Sequence, residues 1–450
     1  MSVRMRAALA GAVLALVVAP VAASGHPSKH HNHKHKSEAE KTSKELRKEI
    51  TSSRMFRHAE AFQMIADENG GNRASGFQGY GASVQYVLTK LRDAGYRPTT
   101  QVFDFVTFEE VTPPLLREVS PTDKTYVATG DTPEVITMNY SASGDTDVAT
   151  ITTVDVKLDG DRTPTGNGSG SGCDAADFTG FPAGNIALMQ RGSCAFALKV
   201  TNAQAAGAVG AIIFNAGTPG NEGVVAGTLG ETAQDGQPTP PDVEIPAVGI
   251  SFAEGARLVN ESDPTTGQII VEAESDQRKS TNVLADTRSG DPDNVTIVGS
   301  HLDSVTEGPG INDNGSGSAF NLELAIRMAK ERIRTENRVR FAFWGAEESG
   351  LVGATRYVAA ISDEEFAKIA ANLNFDMLAS PNHGKFVYDG NFSHTTPPAT
   401  APNVNPGAAY IESVFLKYFA SQGISPDPTA FDGRSDYKPF QDNGIAAGGL

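Results

Sequence analysis

Beyond Ser280 the spacing of apolar residues switches repeatedly between a period of two and a period near four, and this alternation restricts the fold more than any other feature of the chain. Thr281–Ala285 and Asn294–Val298 read as strands. Ala319, Leu322, Ile326, Ala329 and Ile333 then mark one face of a helix. Val339, Phe341 and Phe343 alternate with Arg340 and Ala342 as a strand; Leu373 and Phe375 mark another, and Ile411–Phe419 a further helix. Strands alternating with helices imply an α/β layer architecture, with a central sheet flanked by helices. The sheet is expected to be mixed, since the spacing does not order its strands.

The upstream half divides in two. Val84, Val87, Leu88 and Leu91 have helical spacing that Gly95 ends, and Gln101–Val106 reads as a strand. After Val111-Thr112-Pro113-Pro114 the texture changes. Residues 115–277 are rich in Gly, Thr, Asp and Pro with short β-branched runs, and Ala208–Phe214 and Ala247–Phe252 look like small buried strands. At 450 residues the chain exceeds one ordinary core. The expectation is a β-rich domain (115–277) inserted in an α/β domain whose parts are 49–114 and 278–450.

Residues 1–24 carry the marks of a secretory signal. Arg4 and Arg6 precede an apolar run from Ala7 to Ala19, Pro20 breaks it, and Val21-Ala22-Ala23 offers small residues for cleavage. The run is shorter than the ~20 residues a spanning helix needs, and no other segment is apolar enough to cross a bilayer. A secreted, extracellular protein is expected, a setting that permits a Cys173–Cys194 disulfide. Residues 25–48 include His26, His30, His31, His33 and His35 and lack apolar periodicity, so they are expected to form a tail or pro-segment without a catalytic role. The formal charge of −17 argues against a nucleic-acid partner.

Four polar clusters fall at strand ends or in the loops that follow, where open α/β sheets bind ligands. They are Gly299-Ser300-His301-Leu302-Asp303-Ser304, Gly310-Ile311-Asn312-Asp313-Asn314-Gly315, Phe343-Trp344-Gly345-Ala346-Glu347-Glu348 and Asn374-Phe375-Asp376-Met377. Each alone has a commonplace reading as a turn, a cap or a solvated strand end. Together they offer one imidazole and several carboxylates, a donor set suited to zinc or a similar divalent ion. Adjacent Glu347 and Glu348 repel each other unless a cation lies between them; one can then ligate while the other handles a proton.

These clusters resemble the secreted di-zinc aminopeptidases of metallopeptidase family twenty-eight, of the bacterial leucyl-aminopeptidase type. Phe431-Asp432-Gly433-Arg434-Ser435-Asp436-Tyr437 and Gly70-Gly71-Asn72-Arg73 match further family motifs. The middle region resembles a protease-associated (PA) domain through Cys173, Gln190-Arg191-Gly192-Ser193-Cys194 and Gly207-Ala208-Val209-Gly210-Ala211. The resemblance implies the zinc-dependent exopeptidase fold and two zinc ions. His301 and Asp376 would hold one ion, Asp313 would bridge, and Glu348 would hold the second. Glu347 would act as general base, Asp303 would orient His301, and Arg434 would line the substrate cleft. The Asp313–Asn314 peptide is expected to be cis. The substrate would be a peptide or protein with a free N-terminus, with a large apolar first residue such as Leu.

The family's remaining histidine ligand, and a tyrosine beside it, lie beyond a Gly-Gly-Leu that here is Gly448-Gly449-Leu450. His58, His383 and His394 do not occupy that position. The resemblance therefore implies a missing C-terminal end and an incomplete second zinc site. Two other readings are a same-fold carboxypeptidase or cyclase, and a weakly active or inactive chain whose PA region binds peptide or protein.

Overall fold

The computed structural model of the protein describes residues 32–158, 162–163, 166–167, 169–218, 220–232, 238–239, 242–395 and 404–450. The expected signal segment lies outside the described residues. The chain forms two compact units, one of residues up to Phe105 with Lys279–Leu450, the other of Val106–Ala233 with Gln237–Arg278.

In chain order the main elements are helices α1 (Asn32–Glu49), α2 (Ser52–Glu68) and α3 (Gln78–Asp93), followed by strand β1 (Thr99–Ser120). The middle of the chain supplies β2 (Val135–Thr137), β3 (Ala149–Thr153), β4 (Ile186–Gln190), α4 (Phe196–Ala205), β5 (Gly210–Phe214), β6 (Ala247–Ile250) and α5 (Phe252–Val259). Then come β7 (Thr266–Asp286), β8 (Asp291–His301), α6 (Ser316–Lys330), β9 (Asn337–Trp344), α7 (Val352–Ala360), β10 (Ile369–Asn374), α8 (Pro406–Ser421), α9 (Lys438–Asp442) and β11 (Ala447–Gly449).

In the first unit the strand order is β11-β10-β8-β9-β7. Asn374 aligns with Gly449, Gly299 with Asn374, and His301 with Trp344, all in parallel. Val283 of β7 faces Phe343 in the antiparallel sense. The sheet is therefore mixed and flanked by helices, as the alternating periods imply. Parallel register brings the C-terminal ends of β8, β9 and β10 to one edge. One face of the sheet packs on α6, most of whose residues from Gly317 to Ile326 are buried. Asn321 Nδ2 donates there to the carbonyls of Val298 (3.1 Å) and Ala342 (2.9 Å), tying helix to sheet. Phe62, Leu88, Leu91, Leu322, Phe341 and Phe375 fill that core; burying a side chain of this size stabilises by roughly 1.5–3 kcal/mol. A second core holds Trp344, Tyr357, Phe431, Tyr437 and Phe440.

In the second unit β3, β4, β5 and β6 are parallel and β2 pairs antiparallel with β6. Ser251 Oγ caps α5 by accepting from Glu254 N at 3.2 Å. Cys173 and Cys194 are joined in a disulfide.

Two expectations are corrected. From Asn32 the polar N-terminal tract is helical rather than a tail, and Leu46 is fully buried, with Ile50 just beyond the helix. Ala39, Leu46 and Ile50 lie on one helical face, but the charged residues between them dilute the period. The first unit boundary also falls at 105/106 rather than near 114, whereas the second, at 278/279, lies one residue from the expected 277/278. Both joins lie inside long strands, β1 and β7, so no turn marks them. Pro113 and Pro114 read as a break, yet β1 runs through them; a proline in a strand removes one donor without ending the extended path where that donor is not needed.

Candidate metal centre at the strand ends

Three neighbouring strands deliver the polar clusters to one place. His301 is the last residue of β8. Glu347 and Glu348 follow the end of β9 after Gly345-Ala346, and Asp376 follows β10 by two residues. Asp313 sits in the turn ahead of α6. The backbone is tightly constrained here. Ala346 and Met377, beside the acidic residues, have left-handed φ values of +55° and +59°, which non-glycine residues adopt at a cost of roughly 1–2 kcal/mol. At Gly345 a Cβ would lie 2.3 Å from Tyr80 Oη and 2.4 Å from Ser280 Oγ, so only glycine lets the chain pass. The Asp313–Asn314 peptide is cis, as expected.

His301 is 1% exposed. Its Nε2 lies 3.1 Å from Asp313 Oδ1, 3.4 Å from Asp376 Oδ1 and 3.9 Å from Glu347 Oε2. Potential ligand atoms of His301, Asp313 and Asp376 lie within 4.8 Å of one another, and so do those of His301, Glu347 and Glu348. The structure therefore brings all five residues together. On the other side of the ring, Nδ1 lies 3.2 Å from the Asp303 carbonyl and 3.5 Å from its carboxylate. Asp303 thus meets the ring through its backbone as much as its side chain, while its Oδ1 also accepts from Glu347 N at 3.3 Å.

The electrostatics of the cluster are set by its burial and its excess of carboxylates. Burial opposes charge on His301, but Glu347, Asp376, Asp303 and Asp313 outweigh it and raise the ring's pKa well above normal. Burial raises Glu347 well above the carboxylate range, with Asp436, Asp376 and Glu348 adding to the effect against His301. Glu348 is pushed up to about 8 by burial and by Asp313, Asp303 and Asp376, against the opposing pull of His301. Asp376 is lowered: burial opposes this, but His301, Ser435 and the Met377 amide prevail. One imidazolium cannot compensate this many carboxylates. Asp376 Oδ1 and Asp303 Oδ2 are buried without a hydrogen-bond partner. A borderline-soft divalent cation fits the donor set of one imidazole nitrogen and several carboxylate oxygens.

Several supporting residues carry no local signal of their role. The fully buried Arg73 donates through Nε to Pro309 O (2.8 Å) and through Nη2 to Gly310 O (2.8 Å), and through Nη1 to Leu302 O. It thereby fixes the segment between His301 and Asp313. Asn314 Nδ2 donates to Phe375 O at 2.9 Å, and its Oδ1 accepts from Gly317 N and Met377 N. Asp436 is fully buried with both carboxylate oxygens unpartnered. The motifs containing Arg73, Ser435 and Asp436 stand out in the sequence, but their roles do not.

A cavity of about 360 Å³ opens onto the cluster, with Asp313, Glu347, Glu348 and Asp376 among its lining residues and Met377, Leu378, Phe386 and Phe419 as apolar walls. Arg434 lies at this cavity, its guanidinium paired with Asp432 at 2.6 Å. His383 lines it too. His58 lies apart, between Tyr86 and Glu323, and His394 bonds Ser393.

Comparison with known proteins agrees with this arrangement. A profile described as "Peptidase family M28" matches residues 282–450, and one described as "PA domain" matches 159–258. An aminopeptidase of Pseudomonas aeruginosa is 43% identical over 402 residues, covering 89% of this chain and 70% of that protein. The chain belongs to peptidase family M28. Another relative, a probable leucine aminopeptidase 2 of Aspergillus fumigatus, is 36% identical over 383 residues, 84% of this chain and 68% of that one. The solved aminopeptidase from Aneurinibacillus sp. strain AM-1 superposes with a TM-score of 0.65 at 27% identity, covering 89% and 85% of the two chains. This M28 chain therefore carries its strand-end cluster on a peptidase fold, with a PA domain inserted. Among the described residues no helix is long and apolar enough to cross a membrane.

Proposed function

We propose that this M28 chain is an exported zinc aminopeptidase that removes N-terminal residues from peptides. The observation that carries the reading is the ring of carboxylates within 3.9 Å of His301 Nε2, facing a cavity in a peptidase-family chain. His301 and Asp376 would hold one zinc, Asp313 would bridge, and Glu348 would serve a second. Zinc bound there supplies an acidified water and a Lewis acid for the scissile carbonyl.

Glu347 handles the proton. It needs no place in the ligand set, and its Oε2 lies 3.9 Å from His301 Nε2, so it stands beside the ligands where it can accept a proton from the attacking water and return it to the leaving amine. Asp303 orients the His301 ring. The acidic cluster attracts the substrate's ammonium group, which favours cleavage at a free N-terminus. Met377, Leu378, Phe386 and Phe419 offer apolar surface for a first side chain such as leucine, in keeping with the name of the Aspergillus relative. Arg434, locked to Asp432, borders the cleft without contributing an unpaired charge. Export is consistent with the disulfide.

The test compares leucine p-nitroanilide with its N-acetylated form, using zinc-loaded protein and Glu347→Gln. The free amine alone should be cleaved, and the variant should lose about 10²–10⁴-fold in kcat while keeping its zinc. Equal cleavage of the acetylated compound, or an unimpaired variant, overturns the proposal.

A further inference from the structure

The first unit has a second cavity whose chemistry is opposite to that of the metal centre. It lies by the C-terminal end of α6 and the turn after β7, at the edge of the sheet where β9 begins. The length of β9 puts about 23 Å between that edge and the strand ends that carry Glu347. The cavity has a volume of about 460 Å³, and its charged lining residues are Arg288, Arg332 and Arg334, with no carboxylate. In a chain of net charge −17, a cavity lined by three arginines and no acidic residue is not a reflection of composition.

We infer that this cavity binds a small molecule bearing phosphate or sulfate groups. Three observations carry the inference. Arg288 Nη2 donates to Gly95 O at 2.8 Å, so one edge of that guanidinium is fixed on the rim and the remaining N–H groups have a set direction. Arg332 occupies the position just past the end of α6 in a left-handed conformation, φ +54°. The helix closes there by bonds from Arg332 N to Ala329 O and from Ile333 N to Met328 O. Glycine would adopt this backbone without penalty, so an arginine here is disfavoured for stability and asks for another reason. The floor is apolar: Tyr96 and Met328 are nearly buried, and Tyr96 Oη is already engaged by Ala325 O at 2.8 Å.

Guanidinium forks match the oxygens of tetrahedral oxyanions, and three of them call for more than one negative charge in a small volume. The apolar floor would take the ligand's organic body. A neighbouring cavity shares Arg288 and adds Arg97, Arg338 and Arg340, but Asp286 and Glu365 line it too, and Asp286 neutralises Arg340 through two 2.7 Å bonds. The site is therefore confined to the first cavity.

The probe is 8-hydroxypyrene-1,3,6-trisulfonate, whose sulfonates are weak zinc ligands, titrated into the full zinc-loaded chain and followed by fluorescence anisotropy. Saturable binding of one probe per chain is expected below about 1 mM. It should weaken at least about ten-fold in both Arg332→Gly and Arg334→Gln. Competition by inorganic phosphate and by inorganic sulfate, in separate arms, should displace the probe and tell which group is preferred. Arg332→Gly should melt no lower than the parent, so its loss of binding cannot be ascribed to unfolding, and both variants should cleave leucine p-nitroanilide at the parent rate. Absence of saturable binding, binding indifferent to both substitutions, or a probe that neither anion displaces overturns the inference.

Discussion

Ser435 Oγ stands between two residues at the end of one strand: it donates to Asp376 Oδ2 at 2.7 Å and accepts from Asn374 Nδ2 at 2.8 Å. The serine holds one carboxylate oxygen of Asp376, and the other, unpartnered, lies 3.4 Å from His301 Nε2. Removing that restraint frees the carboxylate to rotate. Ser435→Ala is expected to lower zinc affinity by about 10–100-fold, the usual effect of losing a partner of a metal ligand. Competition against a chromophoric chelator measures it. An unchanged zinc affinity would remove Ser435 from the account of the site.

Arg73 bears on the same site from farther away. Its guanidinium serves the carbonyls of Leu302, Pro309 and Gly310, and its backbone exchanges bonds with Ser304. Arg73→Met keeps much of the volume but strands those acceptors, each buried unpaired group costing about 1–3 kcal/mol. A fall in stability of about 3 kcal/mol or more is expected in urea unfolding, with weaker zinc retention. Arg73→Lys, which keeps the charge without the planar fork, should fall between the two. A methionine variant as stable as the parent would contradict the bracing role.

These two residues mark where the sequence stops being legible. The His301, Asp313, Glu347, Glu348 and Asp376 clusters can be read because each abuts an apolar strand or helix whose period is local. Helix α6 is visible for the same reason, its apolar face being almost undiluted. Ser435 meets Asp376 from 59 positions away, and Arg73 meets Ser304 across 231, so no spacing announces either contact. Helix α1 is hidden in a different way: Leu46 and Ile50 anchor a segment whose other residues are mainly charged and polar. Strand β1 escapes notice where Pro113 and Pro114 imitate a break.

The acidic cluster also predicts proton release on zinc binding. With no cation present, Glu348 titrates at about 8, so at neutral pH it is largely protonated, and burial with neighbouring carboxylates favours the protonated form of Glu347 as well. A cation favours their ionised forms and expels the protons. Calorimetric zinc titrations in buffers of different ionisation enthalpy should show net release near pH 7 that shrinks as pH rises past about 8. Release that is absent near neutrality, or that grows above that pH, would contradict this charge balance.

A final prediction concerns the inserted unit, where Lys199 is fully buried. Its Nζ donates to Ser171 O and lies 3.6 Å from Cys173 Sγ. Burial lowers its pKa from 10.5 to about 8, with Asp177 pulling the other way. Below about 8 the lysine is charged in both folded and unfolded chains, and the folded unit bears the full penalty of burying the charge. Between about 8 and 10.5 the unfolded chain binds more protons than the folded one, so stability rises with pH and the penalty disappears. Lys199→Met carries no such group. The melting temperature of the variant minus that of the parent should therefore be most positive near neutral pH and should decline steadily across that window. A difference that stays constant through it would mean that Lys199 keeps its ordinary affinity for the proton inside the fold.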